Sequence, residues 1–319
     1  MQNSAKKIYE KIMQYETIII HRHRSPDLDA VGSQMGLKQM LEINFPNKTI
    51  LAAGIDGYED FNFIGNIDFV NPTQYVNALV IIVDTANKAR IEESNYSLGT
   101  ELIKIDHHPD IEEERYGSIN LVDTQYSSTC ELLYYLYLEF KKINPDFKLD
   151  VDGAKYLFYG VFGDTGGFVY PNTTSSTFGC ISDLVSFGFD YEDTILKVRV
   201  HDLSTMQIVG WAYQNVVIND GVGYLIFDKE FQKEYKMTPN KLSFIVNFLG
   251  IIGELKVWCV FNEHDNFIRV NIRSRSEYNI SQVAMKFNGG GHKNASGAMI
   301  KKWIDKDDVL FELNKVVNG

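Results

Sequence analysis

Ala78-Leu79-Val80-Ile81-Ile82-Val83 is an unbroken apolar run that ends at Asp84. A short, continuous run of this kind is typical of a strand buried on both faces, as strands are in a parallel sheet. Ile18–Ile20 and Leu102–Ile105 are similar runs, and Tyr156–Phe162 fits either a strand or a core helix. Together these runs predict an α/β fold built on a parallel sheet.

Histidines and aspartates follow these runs closely. They are His23, Asp27 and Asp29 after Ile20, Asp84 after Val83, Asp106, His107 and His108 after Ile105, and Asp164 after Phe162. In open α/β sheets, ligands bind at the carboxyl ends of the strands, so we expect these side chains to meet in one cleft. Crowded carboxylates repel one another, and imidazoles are common ligands of divalent ions. The pattern therefore predicts a metalloenzyme.

Some of these residues also have a purely structural interpretation. Asp29 could open the helix predicted for Ala30–Leu41, and Asp27 could be a turn residue beside Pro26. Asp164 could form an Asx turn within its glycine-rich segment. Two adjacent histidines at the end of a strand are harder to explain by core packing. The joint occurrence of all these residues favours the metal site.

Length and composition indicate an ordinary globular protein. A chain of 319 residues can form two domains, and contents of 45% apolar and 23% charged residues are typical. No apolar run approaches the roughly 20 residues of a membrane helix, and we expect neither a signal peptide nor membrane contact. Cys130, Cys180 and Cys259 lie in apolar surroundings without a CxxC pair. They predict buried, reduced thiols, a cytoplasmic location and no thiolate-bound zinc.

The charge of the chain limits the class of ligand. A net charge of −11 argues against a partner that is a long nucleic acid, because binding along a nucleic-acid backbone needs many Lys and Arg residues. Basic residues are nevertheless concentrated between Phe267 and Lys302, where Glu277 alone is acidic. We therefore expect a small anionic ligand.

The sequence pattern changes along the chain. Residues 1–190 alternate strand-like runs with helical periods and predict the larger α/β domain. Residues 191–218 predict a helical linker, and residues 219–319 a smaller α+β domain. In the first domain, Ser128-Thr129-Cys130-Glu131 is a capping-box pattern that predicts the start of a helix over Leu132–Phe140. In the second domain, strands are predicted over Val222–Phe227, Leu255–Phe261 and Phe267–Ile272.

Gly289-Gly290-Gly291-His292 begins a second distinctive stretch, which continues through Lys293, Asn294 and Ser296. Consecutive glycines expose backbone N–H groups, and the polar side chains that follow add donors, a combination suited to an anion. The alternative is a flexible connector between a helix and a strand, but a connector has no need for these polar residues. The stretch therefore predicts an anion-binding loop.

The motifs HRSPDLD, VDTAN, DHH, GDTGG and GGGHKNASG occur in this order along the chain. In combination they resemble those of the DHH phosphoesterase superfamily. More narrowly, they resemble the stand-alone oligoribonucleases (nanoRNases) that also dephosphorylate adenosine 3′,5′-bisphosphate. The resemblance spans nearly the whole chain. It implies a parallel-sheet DHH catalytic domain, a smaller α+β DHH-associated domain and two divalent metal ions, with Mn²⁺ as the expected ion.

The resemblance also implies roles for individual residues. One ion would be held by His23, Asp27 and Asp84, and the other by Asp29, Asp84, His107 and Asp164. His108 would face the scissile phosphate as a catalytic residue, with Asp106 supporting the two histidines. The substrate's nucleotide end would be bound in the second domain by Arg273, Ser274, Gly289, Gly290, Gly291 and His292.

The implied function is a metal-dependent phosphodiesterase that releases 5′-mononucleotides from short oligoribonucleotides and removes the 3′-phosphate of adenosine 3′,5′-bisphosphate. Linear dinucleotides from the breakdown of cyclic di-AMP are an alternative substrate. A manganese-dependent inorganic pyrophosphatase shares the motifs of the first domain, but the glycine stretch argues against it. A single-strand exonuclease should be larger and more basic. A nucleotide-binding module should lack some metal ligands, and none is missing. The sequence leaves a homodimer open.

Overall fold

The computed structural model of the chain describes residues 1–55, 61–109 and 115–319. The chain divides into two units, Met1–Arg199 and Val200–Gly319. The segment predicted as a linker contains helix α6 (Tyr191–Arg199), which belongs to the first unit, and helix α7 (Leu203–Asn215), which belongs to the second. The domain boundaries at residues 190 and 218 stay predictions.

The first unit is built on a parallel five-stranded sheet with the order β2-β1-β3-β4-β5. Its strands are β1 (Thr17–His21), β2 (Thr49–Ala52), β3 (Ala78–Val83), β4 (Glu101–Asp106) and β5 (Ile119–Val122). Every residue of β3 is buried, because its alternate side chains pack into two different apolar clusters. The predicted α/β fold is confirmed, and the continuous apolar runs were its signal.

The first unit also contains helices. They are α1 (Gln2–Gln14), α2 (Leu28–Asn44), α3 (Thr129–Ile143), α4 (Val151–Asp164), α5 (Ser175–Ser186) and α6, with 3₁₀ segments at Pro72–Tyr75, Lys88–Arg90 and Ser94–Leu98. The run Tyr156–Phe162, for which strand and helix were both open, lies within α4.

The helix starts follow the capping chemistry of the sequence, with one exception. Asp27, and not Asp29 as expected, is the N-cap of α2, and its side chain accepts from the N–H groups of Asp29 and Ala30. Asp29 is therefore in the first helical turn. Ser128 is the N-cap of α3 and accepts from the N–H of Glu131, as the capping pattern predicted.

Helices α2, α3 and α4 pack closely at two glycines, Gly32 on α2 and Gly160 on α4. A Cβ atom on Gly32 would lie 2.6 Å from the carbonyl oxygen of Tyr156, so α2 and α4 touch almost backbone to backbone. A Cβ atom on Gly160 would lie 2.1 Å from Cys130 Sγ and 2.6 Å from Asp29 Oδ1. The space above Gly160 is thus occupied by a side chain from each of the other two helices. This contact places Asp29 between α3 and α4.

The second unit contains a six-stranded mixed sheet with the order β10-β11-β9-β8-β7-β6. Its strands are β6 (Val217–Asn219), β7 (Val222–Phe227), β8 (Val257–Glu263), β9 (Ile268–Ser274), β10 (Gly290–Gly291) and β11 (Ala295–Ile300). The pair β7 and β8 is parallel and the other pairs are antiparallel. Its helices are α7, α8 (Lys229–Tyr235), α9 (Pro239–Ser243), α10 (Ile245–Phe248), α11 (Ser281–Lys286) and α12 (Asp305–Asn318), with a 3₁₀ segment at Leu249–Ile251.

The remaining expectations about the chain concern its thiols and membranes. Cys130, Cys180 and Cys259 are all buried and free, as their apolar surroundings predicted. Among the described residues, no helix combines the length and the apolar character that crossing a bilayer requires.

The glycine contact between α3 and α4 yields a prediction about stability. Gly160→Ala should lower the free energy of unfolding by about 1–3 kcal/mol, because the added methyl group overpacks the space that Cys130 and Asp29 fill. Gly179→Ala is the matched control, since it adds a methyl group to the helix α5 where nothing lies within 4 Å. The control should raise stability by up to about 1 kcal/mol through helix propensity. Chemical denaturation of both variants checks the prediction, and equal effects would contradict it.

Candidate functional site

His23 lies just beyond the carboxyl end of β1. The segment that holds it forms an isolated antiparallel bridge with Ile91, and its side chain is buried. The ring Nδ1 lies 2.9 Å from the carbonyl oxygen of Arg24, and Arg90 Nη2 lies 3.4 Å from the same nitrogen. The Nε2 atom is on the other side of the ring and faces two carboxylates, 3.3 Å from Asp84 Oδ2 and 3.7 Å from Asp27 Oδ2. This orientation suits a metal ligand.

Asp27 uses its two oxygen atoms differently. The Oδ1 atom accepts from the N–H groups of Asp29 and Ala30 at 3.1 and 3.0 Å and so caps helix α2. The Oδ2 atom is directed at His23. The structural and functional interpretations of Asp27 are thus compatible, since one carboxylate can serve both.

Asp29 is fully buried and faces the N-terminus of α3. Its Oδ2 accepts from the N–H of Thr129 at 2.7 Å, and its Oδ1 accepts from the N–H of Cys130 at 2.9 Å. Helix N-termini stabilise negative charge because their first N–H groups have no partner within the helix. The predicted cap at Ser128 is therefore also part of the site, because it places these donors opposite Asp29.

Asp84 is the residue on which the groups of potential ligands converge. It follows β3 with a φ of 48°, a left-handed conformation that is uncommon for residues other than glycine. Its Oδ2 lies 3.3 Å from His23 Nε2, whereas its Oδ1 lies 3.7 Å from His107 Nε2. Each oxygen of the carboxylate thus faces a different imidazole.

His107 completes the second group of potential ligands. Its Nε2 lies 3.1 Å from Asp164 Oδ2 and 3.9 Å from Asp29 Oδ2. Asp164 is the last residue of α4, and Gly166 and Gly167 follow it with left-handed φ angles of 59° and 69°. The glycines therefore end the helix directly after the residue whose carboxylate meets His107.

His108 is oriented by Asp106, which lies two residues before it. Its Nδ1 lies 2.8 Å from Asp106 Oδ1, and its backbone N–H donates to the same oxygen at 3.2 Å. Burial raises the pKa of Asp106, but the hydrogen bond from His108 outweighs it and holds that pKa below the usual range. Asp106 therefore supports the histidine pair as an acceptor.

The pKa values of the cluster record how strongly its charges interact. Burial raises the pKa of Asp29, and the charges of Asp84 and Asp164 raise it further. Burial alone would lower the pKa of His23, but hydrogen bonds to the facing carboxylates raise it to about 10. The pKa of His107 is likewise raised well above its ordinary value, chiefly by Asp164 against the effect of burial. Protons on these histidines thus offset the negative charge that a divalent cation would offset better.

The donor atoms in the first unit fit divalent ions. One atom from each of His23, Asp27 and Asp84 lies within 4.8 Å of the others, and the same holds for Asp29, Asp84 and His107. Carboxylate oxygens and imidazole nitrogens without thiolates suit hard or borderline ions. The two groups share Asp84, so the site can hold a metal on either side of that carboxylate.

In the second unit, the glycine stretch is part of a β-hairpin. Gly290 pairs with Gly297 and Gly291 pairs with Ser296 across β10 and β11. A Cβ atom on Gly289 would lie 1.9 Å from the carbonyl oxygen of Gly297, whereas one on Gly290 would meet nothing within 4 Å. The expectation of a loop with bare N–H groups is therefore only partly met. Two of the glycines belong to a strand, and Gly289 is required by the close approach of two backbones.

The other residues predicted to bind substrate differ in their surroundings. The hydroxyl of Ser274 donates to the carbonyl of Tyr278 and accepts from the side chain of Asn294, inside the unit. The Arg273 guanidinium donates to Asn247 Oδ1. The His292 side chain is exposed, and the His292 backbone N–H donates to the carbonyl oxygen of Ala295. Their roles in binding stay predictions.

Sequence reasoning missed an ion pair that supports His23. Arg22 and Glu92 are both 2% exposed and form a salt bridge. The N–H of Glu92 also donates to the carbonyl of Arg22, and that of Arg24 donates to the carbonyl of Arg90. The signal was the charged residue Arg22 directly after the buried strand β1, but its partner Glu92 is far away in sequence.

Comparisons with known proteins agree along the whole chain. Residues 17–161 match the N-terminal domain of the DHH family, and residues 219–319 match the DHHA1 domain. The chain is 38% identical over 308 residues to the bifunctional oligoribonuclease and PAP phosphatase NrnA of Bacillus subtilis, with 96% of each protein covered. It is 38% identical over 314 residues to a probable protein of that name from Streptococcus mutans, with 98% of each covered. An exopolyphosphatase-related protein from Bacteroides fragilis has the same fold, with a TM-score of 0.89 at 24% identity over 100% of this chain and 97% of that one.

The raised pKa of His23 predicts how stability depends on pH. Between pH 6.5 and about 10 the folded protein holds a proton on His23 that the unfolded chain releases. After chelation of metal, the free energy of unfolding should therefore fall as the pH rises through this window, by at most about 1.4 kcal/mol per pH unit for one group.

Denaturant titrations of the chelated protein at several pH values check this prediction. His23→Gln should flatten the slope, while the control His201→Gln, in the second unit, should leave it unchanged. Adding Mn²⁺ should also reduce the slope, because the ion takes the place of the proton. A free energy of unfolding that rises with pH in this window would contradict the assignment.

Proposed function

Because the chain belongs to the DHH family, we propose that it hydrolyses short oligoribonucleotides to 5′-mononucleotides and removes the 3′-phosphate of adenosine 3′,5′-bisphosphate. The resemblance of its motifs to this family is confirmed, and the chain is a hydrolase that acts on phosphoester bonds. The observation that carries the proposal is the position of Asp84, whose two oxygens face His23 and His107 separately. A bridging carboxylate is what a two-metal phosphodiesterase needs.

The proposed cofactor is a pair of Mn²⁺ ions. His23, Asp27 and Asp84 would hold one ion, and Asp29, Asp84, His107 and Asp164 the other. When bound, the ions would neutralise charge on the phosphoryl oxygens and activate water. The α3 N-terminus keeps Asp29 directed at the site through two backbone N–H groups, so that ligand needs no reorganisation on binding.

His108 is the proposed catalytic residue. Asp106 accepts from its Nδ1, so Nε2 is the ring nitrogen that would face the scissile phosphate. From there it would donate a proton to the departing ribose oxygen or stabilise the charge that develops on it. Asp106 fixes the ring through both the Nδ1 and the backbone N–H contacts.

The second unit is proposed to bind the nucleotide end of the substrate through Gly290, His292 and Arg273. The exposed edge at β10 supports this, because Gly290 leaves room for a ligand. The match of residues 219–319 to DHHA1 favours this function over that of an inorganic pyrophosphatase, for which we expect a different second domain. A cytoplasmic location is also proposed, since all the cysteines are buried and free.

The bridging role of Asp84 predicts that Asp84→Asn abolishes turnover and lowers the bound manganese. Asparagine is suited to this test because it tolerates the left-handed backbone at this position. Activity assays combined with metal analysis check the prediction. Asp152→Asn, a surface change on α4, is the control and should retain both activity and metal. A variant at Asp84 with normal activity would refute the two-metal site.

Substrate binding by the second unit predicts a difference between large and small substrates. Gly290→Val or His292→Ala should raise KM for dinucleotides to tetranucleotides. Hydrolysis of bis-p-nitrophenyl phosphate should change little, because that ester needs only the metal centre. Gly253→Val, at another open position of the unit, is the matched control. Equal losses on both substrates would show that the glycine stretch serves catalysis and not recognition.

The charge of −11 predicts a preference for very short RNA. Long single strands require a groove of many phosphate contacts, and their binding weakens steeply with salt. The value of kcat/KM should be highest at about two to five nucleotides and fall on longer chains, with only a shallow dependence on salt. A series of oligomers up to about 24 nucleotides, assayed at about 50 and 200 mM salt, checks this. A rate that climbs with length would favour an exonuclease instead.

A further inference from the structure

Lys104 is a buried cation behind the candidate site. It lies on β4 between Ile103 and Ile105 and is 2% exposed. In the sheet it pairs with Ile82 on β3 and with Asn120 on β5. Burial of an ammonium group is unfavourable unless partners replace its water, and an apolar residue would fill a buried strand position at less cost. The packing of the sheet therefore gives no reason for a lysine here.

One contact of Lys104 reaches the turn that carries Asp84. The ammonium group donates to the carbonyl of Ala86 at 2.6 Å. The neighbouring carbonyl, that of Thr85, accepts from the hydroxyl of Tyr116 at 2.7 Å. Asp84 itself has a left-handed φ of 48°, a conformation that persists only where the surroundings enforce it. Lys104 and Tyr116 together hold the two carbonyl groups that follow this strained residue.

The other contact of Lys104 reaches Asp106. The ammonium group lies 3.1 Å from Asp106 Oδ2, while the opposite oxygen, Oδ1, is bonded to His108. The ring of Tyr116 lies 5.1 Å from the ammonium group and covers it with an aromatic face. Lys104 thus contacts both the turn after β3 and the carboxylate that orients His108.

We infer that Lys104 is a positioning residue that couples the bridging carboxylate, Asp84, to the catalytic pair Asp106 and His108. It fixes the Asp84 turn through the Ala86 carbonyl and fixes the Asp106 carboxylate through its charge. This inference rests on the proposed function, since it takes Asp84 as a metal ligand and His108 as the catalytic residue. Lys104 acts through these residues and is not itself among those proposed to hold metal or substrate.

The first test replaces the cation by a residue of similar length. Lys104→Met should lower kcat by about 10- to 100-fold, as the loss of outer contacts to a metal site does, and should change KM less than about threefold. The affinity of the chelated protein for Mn²⁺, measured by calorimetry, should fall by a similar factor. Ile103→Ala is the matched control, because it weakens the core on the other face of the same strand. Its kcat and metal affinity should stay within about twofold of the unchanged protein at a temperature where it is folded.

Two further variants keep the test decisive if Lys104→Met does not fold or if its effect is only structural. Lys104→Gln can still donate to the Ala86 carbonyl but carries no charge, so it should lose the part of kcat that depends on the Asp106 contact, and it replaces Lys104→Met in the test if that variant does not fold. In the background of Asp106→Asn, the loss caused by Lys104→Met should shrink at least threefold, because residues that act through one another are not additive. A folded Lys104→Met or Lys104→Gln protein with normal kcat and normal affinity for Mn²⁺ would overturn the inference, as would full additivity with Asp106→Asn.

Asp84→Asn separates this inference from the proposed function. If that variant keeps normal activity, the metal site fails and the role of Lys104 fails with it. If Asp84→Asn is inactive while Lys104→Met behaves like Ile103→Ala, the proposed function stands and only the inference about Lys104 is overturned.

Discussion

Repulsion among carboxylates is the constraint around which the first unit is arranged. Asp29, Asp84 and Asp164 all lie within reach of His107, at a place where little water can screen their charges. Burial raises the pKa of Asp29, the charges of Asp84 and Asp164 raise it further, and such crowding destabilises the folded state unless positive charge offsets it. The negative charge of the site therefore favours the binding of cations. Protons neutralise this charge only in part, and divalent ions neutralise it better.

The surrounding structure holds these groups in place with fixed donors. The N-terminus of α3 binds both oxygens of Asp29, and the N-terminus of α2 binds one oxygen of Asp27. Neither set of donors can rotate away, because they are backbone N–H groups of helices packed in the core. The close glycine contact at Gly160 is what lets α3 and α4 approach Asp29 together. Packing and electrostatics in this unit thus depend on the same few positions.

The second unit shows how a motif can be recognised and its structure still misjudged. Three consecutive glycines predicted an exposed loop, but Gly290 and Gly291 extend the sheet as β10. The reason is that a glycine backbone can pair with a neighbouring strand as well as bind an anion. Composition could not decide between these partners. Of the three glycines, only Gly290 has open space beside it. It is therefore the one position among the three where the structure leaves room for a ligand.

The sequence alone determined the parallel sheet, the caps of α3 and the identity of the charged residues that gather beyond the strands. These features follow from local periodicity, from short capping patterns and from the rule that ligands meet the carboxyl ends of parallel strands. The tertiary structure decided which partner each group has. Asp29 meets the N–H of Thr129, and Arg22 pairs with Glu92, across separations of 100 and 70 residues. Such pairs depend on how helices and strands pack in space, and no spacing along the chain records that arrangement.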